Sequence, residues 1–322
     1  MQTCLNVQTV SEDYFNCIDA MMATIATHYG RDYQMMFLGS WGFFYNLSAE
    51  NFSLRIRFGV DRYSRETLAQ YHGVVSQWNI VKGVPGLVER ARRHLDAGNP
   101  MGLYMNAYYC PWSSAYRRFS INHYGIIVGM DERRKEFFCV DPYSFSQEVY
   151  TLPFDSLRKG FQEVIEFHTV PQPPLLPLKT LLLQNGFCKG GKERFDRQCG
   201  DIRRLADDLP GDLDLAREIA GFQEDLKNSL IFRQVSNVSK HRAKTAVGFR
   251  YMADKYGQPE LETFAGALDK AAGEWNRVNT LLYKLHFTKK DEIKQRISRL
   301  IYGIADLEAQ TADELIRFSE SL

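Results

Sequence analysis

His123-Tyr-Gly-Ile-Ile-Val-Gly-Met130, then Asp131-Glu-Arg-Arg-Lys135, then Glu136-Phe-Phe-Cys-Val-Asp141, is the stretch that decides the fold. Two short apolar runs rich in β-branched and aromatic residues flank a wholly charged segment. Apolar runs of that length beside a turn signal read as buried strands. The pair forms a β-hairpin with its turn centred near Arg133. In an antiparallel pair, residues whose numbers share a constant sum lie opposite one another. His123 and Asp141 therefore fall at the same end of the hairpin, opposite or one diagonal step apart, with Cβ atoms within roughly 4.5–8 Å. At that separation a carboxylate holds one tautomer of an imidazole. Asp131, the competing carboxylate, sits about 25 Å from His123 at strand rise and belongs to the turn.

Outward from the hairpin, Met101 to Tyr109 alternates loosely as a strand, and Glu148–Leu152 and Val164–Val170 add two more. Pro85 to Ala97 is a helix with Leu87, Val88, Ala91 and Leu95 on one face. Asn16 to Gly30 encloses another: Ile18, Met21, Met22, Ile25 and Tyr29 recur at helical spacing, Asn16 is a good N-cap and Gly30 a good stop. Phe37-Leu-Gly-Ser-Trp-Gly-Phe-Phe-Tyr45 reads as a loop with strand pieces. A helix followed by an antiparallel sheet is an α+β arrangement.

Pro171-Gln-Pro-Pro-Leu-Leu-Pro177 holds four of the eleven prolines. Proline fixes φ and removes backbone donors, so this is a semi-rigid linker. The expected organisation is an α+β domain over 1–170, a linker over 171–189 and an all-α bundle over 190–322. In the bundle, Leu261, Phe264, Leu268, Ala271, Trp275, Val278, Leu282 and Leu285 step 3-4-3-4 without a break. Ile293, Ile297, Leu300, Ile304 and Leu307 repeat the pattern, and the short Phe287-Thr288 connection implies antiparallel packing. The Leu261–Leu285 seam serves a bundle core, an acceptor pocket or the pairing of two chains into a homodimer.

The formal net charge of +1 over 322 residues is evenly divided, with 44% hydrophobic and 25% charged residues. No global field steers such a chain to nucleic acid or to an anionic membrane. There is no apolar run long enough to span a bilayer and no signal-peptide pattern at the N-terminus, so a cytoplasmic location is expected. The six cysteines, at 4, 17, 110, 139, 188 and 199, include no CxxC pair. Neither a disulfide framework nor a metal site is expected, and no nucleotide motif is present.

Cys17 sits just inside a helix start, where unpaired N–H groups converge and favour a thiolate. Asp19 in the same turn opposes ionisation, so an imidazole partner is needed. By itself Cys17 reads first as a small buried apolar residue, as most free cysteines do, and Cys139, inside Phe-Phe-Cys-Val, is core. Nucleophile, base and orienter together form a working set: Cys17, His123 and Asp141.

These residues are familiar as a group. An early Cys at a helix start, His-hydrophobic-Gly on a strand and then Asp-Pro-Tyr resembles papain-like cysteine peptidases of the bacteriocin-processing type. Asn16-Cys17, Gly39-Ser-Trp-Gly-Phe43, Asp96-Ala-Gly-Asn-Pro100, Tyr108-Tyr-Cys-Pro-Trp112, His123 to Gly129 and Val140-Asp141-Pro142 are similar to the butirosin-biosynthesis acyltransferase family. Ser239 to Leu315 is similar to the helical domain that usually follows it. The resemblance implies a papain-like fold and transfer of an acyl group from an acyl-carrier-protein thioester to an amine, in natural-product biosynthesis. It assigns Cys17 as nucleophile, His123 as base and Asp141 as orienter. No cofactor is implied beyond phosphopantetheine on the carrier. Papain-like peptidases place a Gln before the Cys for the oxyanion hole, whereas Ser11-Glu-Asp-Tyr-Phe-Asn16 has none. The hole must then use the Cys17 N–H with another donor, Asn16 or a tyrosine. Arg117-Arg118, leading into His123, is the candidate surface for an acidic carrier, against the plainer reading as solvated charge. The alternatives are a thioesterase or peptidase using the same site, or a non-catalytic carrier-protein-binding module.

Overall fold

The computed structural model describes residues 3–58, 64–81 and 83–322. Its elements begin with β1 (Thr3–Cys4), α1 (Cys17–His28), β2 (Phe44–Tyr45), the single turn α2 (Phe52–Arg55), β3 (Ile56–Arg57), α3 (Ser64–His72) and β4 (Val74–Asn79). There follow α4 (Gly83–Asp96), β5 (Met101–Asn106), β6 (Asn122–Asp131), β7 (Glu136–Val140), β8 (Val149–Pro153), α5 (Phe154–Gly160) and β9 (Phe161–Thr169). The remainder is helical: α6 (Leu178–Gln184), α7 (Lys192–Asp212), the single turn α8 (Leu215–Glu218), α9 (Leu230–Tyr256), α10 (Glu260–Thr288) and α11 (Glu292–Ser321). An α+β region is thus followed by an all-helical bundle. The chain forms two compact units: Met1–Tyr33 with Ser64–Pro174, and Gln34–Tyr63 with Leu175–Leu322.

The first unit is built on an antiparallel sheet of order β4-β9-β5-β6-β7-β8, with β1 paired to β6 at Thr3↔Met130 and Cys4↔Gly129. The expected hairpin is β6–β7. Its register runs Ile126↔Val140 and Ile127↔Cys139, then shifts to Gly129↔Phe138, so Val128 is an extra residue on β6. Carried one step beyond Val140, the register sets Asp141 against Gly125, and His123 one diagonal step away. The edge strand β4, full of polar residues, carries no clear strand pattern and is unforeseen in the sequence reading. One core cluster joins Leu87, Ala91 and Leu95 of α4 to Met101, Leu103, Ile127, Phe137 and Leu152 of the sheet. Another contact seats α1. A Cβ on Gly102 would lie 2.9 Å from Met21 Sδ and 3.0 Å from Ile165 Cβ, so only glycine lets helix and strand approach this closely.

In the second unit, all eight positions of the α10 stripe are buried, from Leu261 to Leu285. They are filled by the chain's own helices, so this seam is bundle core and is not available to pair two chains. On α11 the expected stripe shifts: Leu300 and Leu307 are half-buried, while Ile301 and Glu308 turn inward. Phe43, Tyr45, Phe52 and Ile56 belong to the same core as Ile202, Val235, Trp275 and Ile301. The Phe37–Tyr45 stretch, expected as loop and strand, is a 3-10 helix (Gln34–Ser40) and β2. It lies on α9, where a Cβ on Gly248 would come within 2.8 Å of Leu38 Cδ2. The stretch read as linker, 171–189, is interrupted by a helix. Leu178–Gln184 is helical and buries Leu178, Leu181 and Leu182, because the apolar run after Pro177 has a core to enter.

Candidate functional site

Asn16 starts α1 with a reciprocal cap: its Oδ1 accepts the Asp19 N–H at 2.9 Å, and Asp19 Oδ2 accepts the Asn16 N–H at 3.2 Å. Cys17 is held at the first helical position, half-buried. The Asp19 carboxylate, read from sequence as opposing ionisation, is committed to this cap. An oxyanion role for Asn16 rests on its Nδ2, since Oδ1 is an acceptor already engaged.

At the far end of the unit's central hairpin, His123 Nε2 lies 2.7 Å from Asp141 Oδ2. The two side chains are 9% and 4% exposed. The Cys17 thiol acts on the same imidazole as an electrostatic neighbour. Nε2 is the nitrogen engaged by Asp141. Burial pulls the His123 pKa down, but contact with Asp141 and Cys17 outweighs it and the pKa is raised to about 10. Asp141 also caps the short 3-10 helix Pro142–Ser144, accepting the Tyr143 N–H on Oδ1 at 3.1 Å. Of the three expected residues, His123 of β6 and Asp141 at the end of β7 are in direct contact, and Cys17 of α1 bears on His123 electrostatically.

The other candidates lie elsewhere. Arg117 and Arg118 are exposed, with their guanidinium groups over the rings of Tyr116 and Phe119 at 5.0 and 5.2 Å. Among the described residues neither pairs with Cys17, His123 or Asp141. Asp131 Oδ1 accepts the N–H groups of Arg133 and Arg134, the turn role expected of it. Cys139 is buried in the core as expected. Among the described residues no group of three or more His, Cys, Asp or Glu side chains is arranged to hold a metal ion, and no helix is long and apolar enough to cross a membrane.

Two residues at the site escape sequence reasoning. Trp112 Nε1 donates to Asp141 Oδ2 at 2.8 Å, and its ring stacks on Tyr150 at 4.9 Å and 11°. No spacing rule joins residue 112 to 141, because the loop between β5 and β6 has no period to read. The only signal was the aromatic Tyr108–Trp112 motif.

Residues 16–142 match the family described as Butirosin biosynthesis protein H, N-terminal. No curated protein matches the chain. The matched stretch opens one residue before Cys17 and closes one residue after Asp141, and it includes the segment 34–58 that folds with the helices. Over residues 16–142, therefore, this chain carries a domain of the family named Butirosin biosynthesis protein H, N-terminal.

Proposed function

We propose that the protein is a biosynthetic enzyme, a cysteine-dependent acyltransferase that moves an acyl group from an acyl-carrier-protein thioester to an amine. The observation that carries this reading is the buried pair His123 Nε2–Asp141 Oδ2 at 2.7 Å, with Cys17 at a helix start as the imidazole's electrostatic neighbour. In this reading Cys17 Sγ attacks the thioester carbonyl. The carrier's C–S bond breaks, and its pantetheine thiolate leaves with the proton held on His123. An amine then attacks the acyl carbon. The C–N bond forms, the C–Sγ bond breaks, and the amine proton passes through His123 back to sulfur. Asp141 keeps Nε2 protonated throughout. A thioester is already activated, which suits a site whose sequence lacks the glutamine of papain-like peptidases. The exposed Arg117 and Arg118 are the proposed receiving surface for the carrier.

The test is intact-mass analysis after exposure to a panel of acyl-loaded carrier proteins. A mass gain lost in Cys17→Ala and discharged by added amine is expected. A gain that decays to free acid at the same rate without amine would make the protein a thioesterase. No gain with any carrier would overturn the covalent reading.

A further inference from the structure

A carboxylate is nearly free to rotate about its terminal torsion, and a single imidazole does not lock it. At Asp141 the rotation is stopped. Oδ2 receives two donors, His123 Nε2 at 2.7 Å and Trp112 Nε1 at 2.8 Å, while Oδ1 receives the Tyr143 N–H at 3.1 Å. Trp112 is itself braced by its stack on Tyr150. The Tyr150 hydroxyl lies 3.4 Å from Ser144 Oγ, which donates to the Asp141 carbonyl at 2.7 Å. The brace therefore closes on the residue where it began.

We propose that Trp112 is a positioning residue for the Cys17–His123 pair, acting through Asp141 and backed by Tyr150. This rests on the assignment of that pair as the reactive site, but on no particular acyl group or acceptor. An indole N–H only donates, so Trp112 supports the carboxylate without competing for the proton. Because His123 and Asp141 are buried, a lost donor is not replaced cheaply by solvent.

Trp112→Phe retains a ring for Tyr150 and removes the N–H. The experiment is the pH dependence of Cys17 alkylation by iodoacetamide, followed by peptide mapping in the full chain. The alkaline inflection due to His123 should move by a few tenths of a pH unit or more, because the carboxylate that holds the imidazolium changes both its orientation and its charge density. In an Asp141→Ala background the same change should cost less than about twofold, because the route through Asp141 is already cut. An unshifted profile in folded Trp112→Phe, or losses that multiply in the double variant, would overturn the proposal. Should Trp112→Phe not fold, NMR of the intact protein decides: the Trp112 indole proton should move upfield in Asp141→Asn, and an unmoved resonance would equally overturn it. Alkylation needs no carrier, so a shifted profile in a protein that accepts no acyl group would leave this inference standing while the proposed function failed.

Discussion

Arg242 on α9 and Glu308 on α11 meet fork to fork in the helical unit, Nε to Oε1 and Nη2 to Oε2 both at 2.9 Å, with side chains 0% and 1% exposed. The carboxylate also accepts from Trp41 Nε1 at 3.0 Å, Gln198 Nε2 at 3.0 Å and Trp275 Nε1 at 3.3 Å. The guanidinium donates Nη1 to the Gly42 carbonyl at 2.8 Å. Each charge is thus surrounded by partners, and four helices are tied to the Trp41–Gly42 segment.

Removing one partner leaves the other charge buried and uncompensated. Glu308→Ala or Arg242→Ala should each destabilise the protein by about 3–5 kcal/mol, and Arg242→Met with Glu308→Leu by less than either. Urea titrations at neutral pH measure all three. Acid offers a second check. Burial raises the Glu308 pKa, but Arg242 and the two indoles outweigh it, so it stands below the usual carboxylate range. A depressed folded-state pKa means that its stabilisation is complete above the unfolded value of about 4.3 and is lost as pH falls through the folded one. Glu308→Gln should therefore show a flatter loss of stability below about pH 4.

Among the six cysteines, Cys17 should be alkylated fastest near neutral pH. Burial pushes the thiols of Cys110 and Cys199 up to about 12 and raises Cys139 well above its ordinary value, and the exposed Cys4 is raised too. Cys17 alone has an imidazole neighbour and a helix start. Peptide maps with Cys4 or Cys188 labelled first and Cys17 untouched would count against it.

His123→Ala should abolish acyl loading more deeply than Asp141→Asn. The first removes the proton carrier; the second only releases its tautomer. Asp131→Asn should leave loading within about twofold of wild type, since Asp131 serves a turn at the other end of β6. Single-turnover kinetics on the three variants would reject the assignment if Asp131→Asn matched Asp141→Asn.

Cutting the chain inside the proline-rich stretch should not yield a well-behaved fragment. Residues 1–177 would retain Trp41, Phe43, Tyr45, Phe52 and Ile56, which are buried here among helices the fragment lacks. Aromatic side chains of 150–250 Å² each would meet water. Such a fragment should bind a hydrophobic dye and self-associate, and size-exclusion chromatography showing a compact monomer would contradict this.

Local periodicity alone carried much of this protein. The stripe from Leu261 to Leu285, the helix opened by Asn16 and the hairpin that sets His123 near Asp141 all follow from spacings a few residues long, and the structure keeps each of them. The hairpin reading even survived the extra residue at Val128, because the shift from bulge to turn moves the far end and leaves the His123 end in place. What no periodicity contains is partnership at long range. Glu308 breaks the apolar pattern of α11 and is nevertheless inside, because Arg242, 66 residues earlier, supplies the opposite charge. Residues 34–58 lie in sequence between elements of the sheet unit, yet Phe43, Tyr45 and Phe52 are buried in the helical core. Trp112 meets Asp141 only because a loop without any repeat folds back over the end of β7. Burial, charge pairing and ring stacking act through space, so these contacts were decided by the tertiary structure.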